Sequence, residues 1–323
     1  MSTELETRRA LERAANFLVR KQQASGGYWT DFSAWGVPSD EWVTAYAACA
    51  LAEVHTPISR NSAARAWNWL TSHQQSRGAG LGYNVGAAAD SDSSLWGCRL
   101  AVLINRSHEE WVTHALSATR RSAREDGGVA TFASADSIGI GLQSEAEAAG
   151  WTVSHVCVSA AAAWLDEVHA WGDVVKFLCR AQQPEGFWYG YWWADREYAT
   201  AHALESMARH DPNQFSIAQG AAWLAAQPAT ASPFRLALRV LGITRAGDNG
   251  FGASFRALLE QQLDDGSWPA SARLRISPTY LRDPEMRWNW DESGDGFGSI
   301  VLDRERIFTT ATAVRALCAS LNR

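Results

Sequence analysis

The sequence predicts an all-α protein built as an (α/α)6 barrel of six helical hairpins. Three observations predict it: a paired-helix unit recurs along the chain, the two helices of each unit carry different apolar patterns, and β-branched runs are too short and scattered for a sheet.

The unit reads as an Ala- and Arg-rich helix, a Gln, a Gly-aromatic turn, and a second, more apolar helix. It first spans residues 10–23, Gly27-Tyr28-Trp29 and residues 39–54. The second copy spans residues 62–75, 80–83 and 90–105. A weaker third lies near residues 111–132 and 151–168. The fourth spans residues 173–183, Gly186-Phe187-Trp188 and residues 198–209, and a weak fifth lies near residues 217–227 and 233–243. The sixth joins residues 254–262, Gly266-Ser267-Trp268 and residues 307–321.

Within a unit the first helix is amphipathic. Ala63, Ala66, Trp67 and Leu70 keep the spacing of one face, with Arg65, Asn68 and Ser72 opposite. The second helix, as at residues 43–51 and 156–165, is apolar nearly all round and therefore buried. An outer amphipathic ring around an inner apolar ring is the barrel. No linker rich in Pro, Gly or Ser interrupts it, so residues 1–323 are expected to form one domain.

Composition narrows the function. A net charge of −6 without a basic block argues against a nucleic-acid reader. No apolar stretch follows Met1, and no run approaches the roughly 18 residues of a spanning helix. Cys49, Cys98, Cys157, Cys179 and Cys318 are scattered, which fits buried thiols in a reducing, cytoplasmic setting and offers no metal site. The 17 tryptophans exceed what a bland core needs, since each brings an N–H to satisfy.

The turn Gln262-Leu263-Asp264-Asp265-Gly266-Ser267-Trp268 resembles the QW repeat of squalene-hopene and oxidosqualene cyclases, and Gln183 to Trp188 and Gln23 to Trp29 are looser copies. Asp90-Ser91-Asp92-Ser93-Ser94 resembles the DxDD acid motif of that class II terpene cyclase family, with Asp92 at the proton-donating position. Val153-Ser154-His155-Val156 is similar to the segment whose His bonds the acid. Across residues 186–200, Trp192 falls on an aromatic that faces the first cation and Tyr198 on a tyrosine near the acid. Gly294-Asp295-Gly296-Phe297 resembles a loop whose Phe lines the cavity. The chain is about half the length of a squalene-hopene cyclase, and its plan is that of a single-barrel member with the terpenoid cyclase/prenyltransferase toroid.

The resemblance implies protonation-initiated cyclisation of a linear or aryl-linked polyprenyl substrate, without metal or other cofactor. Asp92 is the expected acid, Asp90 its support at the helix start, His155 its hydrogen-bond partner and Tyr198 a neighbour. Trp192, Trp193, Trp188, Trp96 and Phe297 are the expected lining, since aromatic faces stabilise a cation without trapping it. Transient membrane association would serve substrate uptake. Two departures stand out: Ser93 replaces the motif's last Asp, and Tyr191 replaces an Arg.

Other readings compete. Asp and Ser at residues 90–94 are also preferred helix caps, and a lone His on an apolar helix is also a core residue. Asp291 to Asp295 superficially resembles a magnesium motif but lies in a Gly-rich turn. A zinc prenyltransferase needs an Asp-x-Cys element that is absent. A glycoside hydrolase would need a second carboxylate facing the first, for which Asp195 or Glu197 would serve. The main alternative is a barrel that binds lipid or protein without catalysis.

Overall fold

The computed structural model describes residues 3–24, 26–72, 80–165, 173–211 and 215–322. Outer helices are α1 (Thr3–Lys21), α3 (Pro57–Ser72), α5 (Glu110–Arg120), α8 (Val174–Ala181), α10 (Phe215–Ala225) and α12 (Gly252–Glu260). Inner helices are α2 (Glu41–Val54), α4 (Ser91–Leu103), α7 (Val156–Ala163), α9 (Arg196–His210), α11 (Pro233–Arg245) and α13 (Ile307–Leu321), and α6 (Ala135–Ile138) is a single turn. The inner helices touch in the order α2, α4, α7, α9, α11, α13, and α13 returns to α2, so the inner ring is closed. From Glu41 to Glu53 every residue of α2 is buried, whereas α3 buries only Ser59, Ser62, Ala63, Ala66, Trp67 and Leu70. The two apolar patterns read from sequence are thus the two rings.

The third hairpin is shorter than residues 111–132 and 151–168 suggest. Helix α5 stops at Arg120, and the chain then reverses at Gly127 (φ +83), where Asp126 Oδ1 accepts from the Gly128 N–H. Residues 151–155 form turns leading into α7, and residues 166–168 fall outside the described residues, as do Gln75 and the turn before Gly80. Two small hairpins were not expected. β1 (Asp31–Ala34) pairs with β2 (Val37–Ser39) ahead of α2, and β3 (Arg273–Ile276) pairs with β4 (Ser299–Leu302) ahead of α13.

The repeated turns tie the outer ring together, with one change of register. Gln22 and Gln182, not Gln23 and Gln183, stand where Gln262 stands. Gln22 Nε2 donates to Gly27 O and to Ser62 O of α3, and Gln182 Nε2 to Gly186 O and Ser216 O of α10. Gln262 Nε2 donates to Gly266 O and to Ala10 O of α1, joining the last outer helix to the first. The three turn tryptophans donate back into their own outer helices, Trp29 to Leu18 O, Trp188 to Leu178 O and Trp268 to Leu258 O, each at 2.7 Å. Gly186, at φ +104, lies so close to α10 that a Cβ would come within 2.6 Å of Gln219 O.

The C-terminal ends of the inner helices converge on a buried ionic cluster. Arg315 and Arg99 both bond Glu205, and Arg315 also reaches Glu53 at 3.2 Å. Helix C-termini carry partial negative charge, so an arginine-rich cluster suits this end. A polar cleft of about 330 Å³ opens there among Arg99, Glu205, Arg245 and Trp164. Its lining does not suit a prenyl chain, and Arg99 is seven residues, about 10 Å of helix, from Asp92.

Candidate active site

The opposite end, where the inner helices begin, gathers the expected chemistry. The first turns of these helices bring together Trp42, Asp92, Cys157, Tyr198, Phe234 and Phe308, all buried. Trp193, just ahead of α9, packs among them. It stacks on Tyr198 at 4.1 Å and contacts Phe308 and Phe234 at 5.1 and 5.2 Å. One turn deeper lie Tyr46, which stacks on Phe308 at 3.9 Å, and Trp96, whose edge meets Tyr46 at 4.6 Å. Asp92 stands where α2, α11 and α13 each place an aromatic side chain at their second residue.

Asp90 caps α4: Oδ1 accepts from the Ser93 N–H at 2.8 Å and Oδ2 from the Ser93 hydroxyl at 2.7 Å. The serine that replaces the motif's last carboxylate therefore holds the first one. Asp92 is only 7% exposed, and its Oδ1 has no hydrogen-bond partner. Burial, and then the neighbouring Asp90, push its pKa up to about 8; the Trp96 indole pulls it weakly down. Burial likewise raises Asp90 to about 7. Burial thus favours the protonated form of Asp92 at neutral pH. The indole N–H groups of Trp42 and Trp193 are also buried and unpartnered, so with Asp92 Oδ1 this dry region holds three unused polar atoms.

His155 does not bond Asp92. It is the N-cap residue of α7 and both ring nitrogens are committed, Nδ1 with Thr131 Oγ1 and Nε2 with Gly150 O, each at 2.8 Å. Burial lowers its pKa to about 3, so it is neutral and cannot strengthen the acid as an imidazolium. Its ring stacks on Tyr191 at 3.9 Å, and Tyr191 OH donates to Leu281 O. Tyr191, where the related segment has Arg, therefore braces the wall by stacking and one hydrogen bond.

The lining residues divide. Trp96 and Trp193 lie in the buried aromatic cluster with Tyr198. Trp192 is half-buried, meets Trp151 at 5.2 Å and donates through Nε1 to Thr131 Oγ1. Phe297 is 48% exposed and sits at the rim against Trp35 and Trp151. Trp188 is misassigned: fully buried, it belongs to the turn that bonds Leu178 O and Thr200 Oγ1. Trp42, Phe308, Phe234, Trp151 and Thr131 lie among these residues and were not among those expected from sequence. A signal existed for the first three, since an aromatic residue stands second in each of their helices.

Asp195, weighed as a second sugar-site carboxylate, is buried near Arg235 and Arg273, while Glu197 bonds Arg235 and Arg239. Asp291 bonds Ser293 in an exposed turn. Among the described residues, no three His, Cys, Asp or Glu side chains cluster closely enough to hold a metal ion, and no helix is long and apolar enough to cross a membrane.

No family model and no curated protein matches the chain. Solved structures do. A protein from Actinoplanes is 32% identical at TM-score 0.88, with 97% of this chain and 99% of that chain covered. The type II terpene cyclase MstE from Scytonema, without ligand, is 31% identical at TM-score 0.89, covering 98% and 99%. A variant of MstE with an Asp replaced by Asn holds geranylgeranyl dihydroxybenzoate as substrate, at 30% identity, TM-score 0.87 and 98% of both chains. Another, with an Asp replaced by Ala, holds the product merosterolic acid A. An α-1,6-mannanase variant from Salegentibacter is 11% identical at TM-score 0.60, a likeness of fold alone.

Proposed function

The chain belongs to the class II terpene cyclases, and from that premise we propose that Asp92 protonates the terminal alkene of a prenyl chain carried on an aromatic acid. The observation that carries this reading is the buried Asp92 carboxyl, its pKa pushed up by burial, with an unpartnered oxygen among aromatic rings. Proton transfer forms a C–H bond at the less substituted alkene carbon and leaves a tertiary cation and the Asp92 carboxylate. The start of α4 stabilises that carboxylate. The Trp96 N–H, one turn along the same face, is a donor available to it. Internal double bonds then attack the cation in turn, loss of a proton from the carbon beside the last cation leaves a neutral isomer of the substrate, and Asp92 regains a proton from solvent. Trp192, Trp193 and Tyr198 offer ring faces, each worth about 0.5–2 kcal/mol to a cation. Asp90, capped on Ser93, fixes the start of the acid helix.

An aryl-linked geranylgeranyl substrate is the one MstE holds, and the equal span of the two chains supports the same class here. For uptake we propose transient docking on a membrane. Trp35, Tyr280, Trp288 and Phe297, between 48% and 91% exposed, all lie in segments leading into inner-helix N-termini, the end that holds Asp92. Five free cysteines suit a reducing cytoplasm.

The test is incubation of purified protein with geranyl, farnesyl and geranylgeranyl chains, free and dihydroxybenzoate-linked, followed by mass spectrometry and NMR. A cyclised isomer of an aryl-linked substrate, lost in Asp92→Asn with substrate still bound, is expected. Cyclisation undiminished in Asp92→Asn would reject the acid, and cyclisation of free chains only would reject the aryl head group.

A further inference from the structure

Thr131 belongs to none of the catalytic segments, yet it is 4% exposed and joins two of them. The direction of each hydrogen bond around it is fixed by chemistry. Gly150 O only accepts, so His155 carries its proton on Nε2. The ring is neutral, so Nδ1 accepts, and the Thr131 hydroxyl donates to it at 2.8 Å. The Thr131 oxygen in turn accepts from Trp192 Nε1–H at 2.8 Å. The Thr131 carbonyl accepts from the Ser91 N–H at 2.9 Å, one residue before Asp92. A relay therefore runs from Trp192 through Thr131 and His155 to Gly150, and its second residue also grips the start of the acid helix.

We propose that Thr131 is a positioning residue of the cyclisation site, setting the Trp192 indole and the Asp92 helix relative to each other, with His155 acting as the neutral anchor that orients the Thr131 hydroxyl. The inference rests on the cyclase reading for its effect on rate. The relay itself stands on geometry. The Thr131 and His155 side chains are buried, so the hydroxyl that accepts the Trp192 N–H is held in a fixed orientation by the Thr131–His155 bond. A tilted indole would still bind an apolar chain. It would present its ring face less well to the developing cation, so the loss falls on kcat.

The experiment compares Thr131→Val, which keeps the shape and removes the hydroxyl, with Thr131→Ser, which keeps the hydroxyl and removes the methyl. Trp192→Phe removes the indole donor, and Thr131→Val/Trp192→Phe closes the cycle. In Thr131→Val, kcat is expected to fall at least about fivefold, the worth of one ordinary hydrogen bond, with KM nearly unchanged and side products increased. Thr131→Ser should restore most of the rate, and the double variant should be no slower than the worse single one. Independently of substrate, the Trp192 indole N–H resonance in 15N-Trp-labelled protein should shift in Thr131→Val and hold in Thr131→Ser. Wild-type rate and product ratio in a folded Thr131→Val, or equal damage in Thr131→Ser, overturns the proposal. Should wild type cyclise no prenyl substrate, the cyclase reading fails, and the resonance still decides the relay.

Discussion

If Asp92 is the acid, turnover must follow its protonation. Its carboxyl lies at about 8 against 3.8 for an ordinary aspartate. At pH 7 roughly nine-tenths of the molecules would hold the proton, against about one in a thousand for an exposed carboxyl. Burial therefore enriches the competent form by on the order of a thousandfold. Because the folded-state value is raised, the proton is kept below about pH 8 and lost above it. With the aryl-linked substrate, kcat/KM should be level from pH 6 to 7.5 and then fall about tenfold per pH unit, reaching roughly a hundredfold by pH 10. Asp90→Asn removes the like charge that helps raise Asp92, so the break should move to lower pH. Circular dichroism across the range checks that the fold persists. A profile flat to pH 10, or one already falling above pH 5, refutes the reasoning, as does a break that moves upward in Asp90→Asn.

The same proton affects stability. Between pH 6.5 and 8 the unfolded chain has lost the Asp92 proton while the folded chain keeps it until about pH 8, so the Asp92 contribution to stability falls as pH rises; the buried histidines, neutral when folded and partly protonated when unfolded near pH 6.5, act in the opposite sense and cancel in a comparison with Asp92→Asn. Wild type should lose about 1–2 kcal/mol more than Asp92→Asn over that interval by urea unfolding, and parallel curves would contradict it. Arg315→Met removes the most buried of the three arginines that share Glu205 and Glu53, leaving Arg99 and Arg245 to hold both carboxylates, and should cost about 2–3 kcal/mol, with Arg315→Met/Glu205→Met recovering part of it. A lowering of less than about 1 kcal/mol in the single variant would show the cluster to be solvated. Gly186→Ala meets Gln219 O and a left-handed backbone, so its melting temperature should drop by several degrees; an unchanged value would mean that the turn can move away from α10.

The barrel was legible because two periodic signals agreed. Residues 43–51 are apolar on every side and residues 62–70 on one, and only concentric rings bury both. The turns were legible in kind and off by one in register, since Gln22-Gln23 and Gln182-Gln183 are doublets and composition does not say which member turns inward. Asp92 was singled out by the resemblance of residues 90–94 to an acid motif, since residue type alone does not separate it from a helix cap. The hydrogen bonds of His155 were not legible, because Thr131 lies 24 residues earlier in a segment with no periodic signature. Trp188 was misplaced because a tryptophan that completes a turn and one that faces a cation look alike in sequence. Ser93 looked like a lost carboxylate until its hydroxyl was seen to hold Asp90.

The hydrogen bonds from Gln262 to the first outer helix, and the seat of α13 between α2 and α11, bear on how the chain matures. During synthesis the first five hairpins emerge as an open arc whose most apolar helices face an unfinished interior. Only the last fifteen-residue helix supplies Phe308 and Arg315, and with them the end of the arc meets its beginning. A chain cut short before α13 would leave an exposed greasy surface and an incomplete inner ring, so a nascent chain of this design should depend on chaperones until α13 clears the ribosome.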